Sequence, residues 1–215
     1  MPSPSPAPCR PPAPQAPEQR TASPELSLLA LARTASITVP GQEDAIAAAA
    51  HWLLNWSTPG PSWPPYVFGD DLRTNPARLP PAVGRRDAWC YGTPGIAAAL
   101  HHAGQAINYP SLAEHARHAL DNLAQRPPGS WDTTGPGLCH GTAGILQTAT
   151  RLGHQTLAEE AAQRTLFLHG IADEPALSRA GFLTGRAGTA LALADHGHLL
   201  GPTQPSNWDS PLLLS

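Results

Sequence analysis

Apolar positions in this chain fall into short blocks of helical length, each opened by a pair of glycines and two of them followed by a more polar block. Three such openings align: "YGTPGIAAAL" (91–100), "HGTAGILQTA" (140–149) and "TGRAGTALAL" (184–193). Their leading glycines, Gly92, Gly141 and Gly185, each begin a Gly-x-x-Gly pattern and recur at 49 and 44 residues. The first two are followed by amphipathic stretches, 111–125 ("SLAEHARHALDNLAQ") and 155–170 ("QTLAEEAAQRTLFLHG"). One apolar and one amphipathic helix per 40–50 residues is a helical-hairpin repeat. Such units stack into solenoids or close into a ring, with the apolar helices as the inner layer. The pattern predicts an all-α chain.

Ahead of the repeats, 41–56 predicts a further helix, with Ala47, Ala48, Trp52 and Trp56 at helical spacing. Residues 57–85 carry seven prolines and predict a long irregular connection. About three and a half hairpins fit in the chain, an incomplete double-layer helical barrel. Nine of the 26 prolines lie within residues 1–24, which read as a disordered, solvated arm. Residues 25–215 then hold the helical domain.

Charge and composition exclude several classes of function. The net charge is −3, all 13 cations are arginine, and no basic cluster is present to follow a phosphate backbone, so nucleic acid is not expected as a partner. There is no apolar run of membrane-spanning length and no secretory signal pattern at the start. Three cysteines argue against a disulfide framework. The expected location is cytoplasmic.

Two of the three cysteines carry the chemistry. Cys90 and Cys139 each stand two residues before the leading glycine of a repeat, so they occupy equivalent positions on neighbouring units. If the Gly-x-x-Gly turns share one end of the ring, both thiols point to its axis. His140 follows Cys139 directly, and its use in the same site needs a turn, which the flanking glycines are expected to supply. Two thiolates and an imidazole favour Zn²⁺, with the fourth tetrahedral position left open for water or substrate. The plain alternative is two inert, buried cysteines. The third repeat has Leu183 and Thr184 at the matching positions and adds no ligand. Most of the other histidines read as surface or capping residues, and Cys9 as incidental.

At these residues the chain resembles the lanthionine synthetase C-like family, the zinc cyclases of lanthipeptide biosynthesis. The resemblance rests on "RDAWCYGTPG", "GLCHGTAG", "GFLTGRAG", the upstream "SWPPYV" (62–67) and the closing "WDSPLLLS", and covers about residues 42–215. It implies an α/α toroid, here a partial one, with zinc held by Cys90, Cys139 and His140. It further implies catalytic roles for Arg86 and Tyr91, and places Trp89, assigned to substrate binding, and Asp87 in the surroundings of the motif. The implied reaction adds a peptide cysteine thiolate to the β-carbon of dehydroalanine or dehydrobutyrine. The enolate so formed takes a proton at its α-carbon, leaving a lanthionine or methyllanthionine ring.

The chain also departs from that family. Members resembling it are much longer, and their first half carries an Ala-His-Gly-type motif whose histidine is an acid/base. No equivalent is found here, since His169-Gly170 falls late in an outer helix. The expected partners are a dehydrated precursor peptide and either a lanthipeptide dehydratase or a complementary N-terminal half. The competing reading is a non-catalytic zinc- and peptide-binding remnant or subunit. A third reading changes the electrophile, as in protein prenyltransferases, and the Trp-Cys-Tyr-Gly and Cys-His-Gly motifs argue against it.

Overall fold

The structure, a computed structural model, describes residues 23–64, 67, 86–171, 180–200 and 207–214. Among them every regular element is helical. The helices are α1 (Ser23–Thr34), α2 (Gln42–Asn55), α3 (Thr93–Ala106), α4 (Pro110–Ala124), α5 (Thr142–Arg151), α6 (Gln155–Ile171) and α7 (Arg186–His196). Short 3₁₀ turns lie at Pro128–Ser130 and Asn207–Leu212.

Burial sorts the helices into two layers. Helices α1, α3, α5 and α7 pack side by side in that order, and α2, α4 and α6 lie outside α1, α3 and α5. The inner helices are short and rich in alanine, so their axes can approach closely. Residues Thr93 to Leu100 of α3 and Thr142 to Ala149 of α5 are buried without interruption. Helix α4, by contrast, buries only Leu112, Ala116, Ala119, Leu120 and Leu123, one stripe at helical spacing. The result is three hairpins and one more inner helix, a partial α/α toroid.

The structure adds detail to the sequence reading at two helices. The segment from residue 25, which lacks the Gly-x-x-Gly opening, nonetheless forms inner helix α1, because Leu26, Ser27 and Ala30 supply a narrow face that packs on α3. Its first residues are Ser23 and Pro24, and the rest of the expected arm, residues 1–22, lies outside the described residues. Helix α2 forms as expected, but its buried face is Ile46, Ala50 and Leu53 rather than Ala47, Ala48 and Trp52. The larger aliphatic side chains win the contact, and Trp56 closes the same side. Most of the expected irregular connection, 65–66 and 68–85, is outside the described residues. Its start is fastened by Trp63, whose buried indole N–H donates to the Leu53 carbonyl at 2.7 Å.

The glycine pairs do something other than turn the chain. Gly92, Gly141 and Gly185 are extended, with φ of 178°, −119° and −117°, angles open to any residue. What they permit is close approach. A Cβ on Gly95 would run into the carbonyl oxygen of Trp89, one on Gly144 into that of Leu138, and one on Gly188 into that of Phe182. In all three repeats the blocking carbonyl lies six residues upstream, so the loop folds back flat against the first turn of its own inner helix.

Gly144→Ala should therefore destabilise the chain by roughly 1–3 kcal/mol or more, the usual cost of forcing atoms into a packed site. Gly129→Ala, where an added Cβ meets nothing within 4 Å, should stay within about 0.5 kcal/mol of wild type. Urea unfolding of both variants checks this, and equal stabilities would remove close approach as the reason for the pattern.

Candidate metal centre

The three folded-back loops stack at one end of the inner layer, and backbone hydrogen bonds join their equivalent positions. The Cys90 amide donates to the Cys139 carbonyl at 3.4 Å, and the Cys139 amide donates to the Leu183 carbonyl at 2.9 Å. These are the same register position in the first, second and third repeats. A side chain at residue 90 must then face one at residue 139.

Ligand atoms of Cys90, Cys139 and His140 all lie within 4.8 Å of one another, and the three residues are half-buried. The Cys139 Sγ and His140 Nε2 are 3.9 Å apart. A tetrahedral zinc with bonds of about 2.3 Å to sulfur and about 2.0 Å to nitrogen holds its ligand atoms roughly 3.5–3.8 Å apart. The donor set fits such an ion.

Electrostatics point the same way. Burial, then the hydrogen bond and charge of Cys139, push the Cys90 thiol from 9.0 up to about 12, with the amides of Cys90 and Tyr91 offsetting part of this. Ionising the Cys90 thiol beside Cys139 is thus disfavoured unless a cation lies close by. Burial and the nearby Arg86 guanidinium lower the pKa of His140 and favour the neutral, ligating imidazole.

Arg86 and Tyr91 border this cluster. The guanidinium lies 5.6 Å from the Tyr91 ring centroid, and the Tyr91 ring meets His140 edge-on at 5.4 Å. Arg86 is held by Asp132, its Nη1 donating to Oδ1 at 3.0 Å. Asp87, fully buried, accepts from Arg126 Nη2 at 2.6 Å and from the Asp132 amide at 2.8 Å. This carboxylate fastens the first loop to the second and sets the position of Asp132. Trp89 is half-buried against the core, and its indole N–H donates to the Leu212 carbonyl at 3.0 Å.

Asp132 and Arg126 were not singled out from sequence. The only available signal was that the cationic Arg86 needs a counter-charge. Among the other histidines, His154 accepts from the Leu157 amide at the start of α6, a capping role, and pairs with Asp121 at 3.0 Å. His102 is neither surface nor cap: it is buried on α3, and burial, then the charge of His101, lower its pKa to about 4. A cavity of about 530 Å³ lies near the other end of α3 and α5, lined by His101, Arg117, Asp121 and His154, away from the thiols.

The family model described as lanthionine synthetase C-like protein matches residues 25–198. Nisin biosynthesis protein NisC of Lactococcus lactis subsp. lactis is 27% identical over 160 residues, covering 71% of this chain and 36% of that protein. The solved structure of a nisin cyclase is similar with a TM-score of 0.75 at 20% identity, covering 89% of this chain and 48% of that one, which establishes the shared fold. The chain thus spans between about a third and a half of the length of these relatives.

The raised thiol pKa has a definite sign in stability. The folded, metal-free chain holds the Cys90 proton more tightly than the unfolded chain does. Its contribution is therefore full below pH 9 and is lost as pH rises towards about 12. The stability of metal-free wild type should fall more steeply over that window than that of Cys90→Ser. Parallel pH profiles would mean that the Cys90 thiol ionises as freely folded as unfolded.

Proposed function

The chain belongs to the lanthionine synthetase C-like family, and from that premise we propose that it forms the metal-binding part of a lanthipeptide cyclase, with Cys90, Cys139 and His140 holding Zn²⁺. The observation that carries this reading is the convergence of these three ligand atoms within 4.8 Å, on loops that the backbone stitches together at equivalent positions. Zinc bound there would supply a Lewis acid that keeps a cysteine thiol of the peptide ionised near neutral pH, well below its free pKa of about 8.5.

The chain's own residues have separate tasks. His140, whose neutral form burial and Arg86 favour, offers its lone pair. Arg86, fixed by Asp132, brings positive charge to the edge of the cluster. That charge suits the step in which the peptide sulfur bonds to the β-carbon of a dehydro residue and the π-electron pair moves to the carbonyl oxygen as an enolate. Tyr91, held between Arg86 and His140, carries a phenol that can return a proton to the α-carbon. No group leaves and no redox change occurs. The substrate of this reading is a dehydrated precursor peptide. A dehydratase or a complementary half of the toroid is the proposed protein partner, the latter consistent with a chain that spans 48% of a nisin cyclase. We likewise propose a solvated arm over residues 1–22 and a cytoplasmic location. No helix among the described residues is long and apolar enough to cross a membrane.

The test begins with zinc per chain in wild type and Cys139→Ala, where about one equivalent and a loss of most of it are expected. A dehydrated peptide with one free cysteine is then added. Ring closure leaves its mass unchanged but removes the thiol that N-ethylmaleimide would alkylate. Closure that slows by about 10²-fold or more in Tyr91→Phe, with zinc retained, supports the cyclase reading. Retained zinc with an alkylatable thiol throughout favours the zinc- and peptide-binding module. Wild type without zinc overturns the metal reading itself.

A further inference from the structure

The closing "WDSPLLLS" stretch has no task in the reaction, yet its 3₁₀ turn buries Asp209 and Leu212. Asp209 is fully buried and accepts two hydrogen bonds from Arg151, from Nε at 2.5 Å and from Nη2 at 2.8 Å, and a third from Gln147 Nε2 at 2.8 Å. Gln147, itself buried at 0% exposure, also donates to Asp195 on α7. Leu212 and Leu214 are each 2% exposed and belong to the core. A terminal segment with this burial and these charged partners is fixed to α5 and, through Gln147, tied to α7.

The same segment touches the first thiol-bearing loop directly and reaches the second through the third loop. Its Leu212 carbonyl accepts the indole N–H of Trp89, the residue next to Cys90. Its Trp208 ring meets Phe182 edge-on at 5.9 Å, and the next residue, Leu183, supplies the carbonyl that accepts the Cys139 amide. Trp89 also packs against the close-approach position at Gly144, where its Cβ would lie 3.1 Å from an added methyl.

We propose that the C-terminal segment 207–214 is a latch that positions the metal ligands, with Asp209 as its anchor and Trp89 as the link to Cys90. The inference rests on the metal reading above and deepens it. Asp209 acts as a positioning residue: it sets where the Leu212 carbonyl lies, and that carbonyl sets the orientation of Trp89. Loss of either end leaves both thiols in place but lets the loops shift relative to each other, and coordination tightness falls steeply with such shifts. The indole, on this view, is used inward on the protein backbone and not on substrate.

The test uses the full chain loaded with Co²⁺ in place of zinc, read by thiolate-to-cobalt absorption and by competition with a chromophoric chelator. Trp89→Phe removes the N–H and keeps the ring, and Asp209→Asn removes the anchoring charge. Each should weaken metal binding by about tenfold or more, with the melting temperature of metal-free Trp89→Phe close to wild type. The double variant should bind no more weakly than Asp209→Asn alone, because the two residues act as one unit. Affinities within about twofold of wild type, or losses that multiply in the double variant, would overturn the latch. Should Asp209→Asn fail to fold, Trp89→Phe decides the matter alone. A wild type that binds no metal fails the metal reading and takes the latch with it, whereas a tight wild type with unaffected variants sinks only the latch.

Discussion

A loop can lie flat on the first turn of a helix only where the helix carries no side chain, and the candidate site depends on that contact. In three successive repeats the carbonyl six residues before Gly95, Gly144 and Gly188 occupies the space a Cβ would need. The loops so pressed down come close enough to hydrogen-bond in sequence, residue 90 to residue 139 to residue 183. Ligand geometry follows from this stitching, since two thiols at one register position on adjacent loops have nowhere to go but towards each other. The alanine-rich inner helices allow the same closeness along their length, so packing and site share one cause.

Bringing the loops together concentrates polar groups that burial penalises. Fully buried Asp87 is tolerable because Arg126 and the Asp132 amide both donate to it. Fully buried Asp209 is matched by Arg151 and Gln147. Such pairs give little net stability compared with an apolar core, but removing one partner leaves a stranded charge, so they fix geometry strongly. Both also run between segments far apart in sequence, first loop to second loop and C-terminus to α5. Burial and the neighbouring Cys139 disfavour the charged form of the Cys90 thiol. A divalent cation would supply compensating positive charge, a physical argument for the proposed zinc that does not rest on the family.

Much of this was legible in the sequence, and the reason is periodicity. Gly-x-x-Gly followed by an apolar helical block recurs three times, and a constraint imposed by sterics on each unit must recur with the unit. Cys90 and Cys139 could be paired because they share a repeat position, and His140 because it adjoins one of them. The function of the glycines was less legible: they read as turn formers, but their backbone angles are ordinary and only the packed loop reveals the clash. Helix α1 was missed for a related reason, since it joins the inner layer through Leu26 and Ala30 without the glycine signature. Asp132, Arg126 and the Leu212 carbonyl were out of reach. They are single long-range partners, one of them a backbone atom, and no spacing rule marks such contacts.

The way the ligands are distributed bears on how a partial ring can hold a site. Cys90 precedes α3, and Cys139 and His140 precede α5, so the cluster lies on the seam between two adjacent inner helices and not across the centre of the ring. A site on one seam needs only the two hairpins that form it and whatever braces their loops from the sides. The bracing is present on both sides here. Asp87 and Arg126 tie the first loop to the end of α4, and the third loop with the C-terminal turn supports the second. Convergence of the candidate ligands and closure of the ring are therefore separable properties of this architecture. The convergence of the two thiols depends on these hairpins and their braces alone. The three candidate ligands therefore converge within hairpins that this chain carries, although it spans 48% of a nisin cyclase.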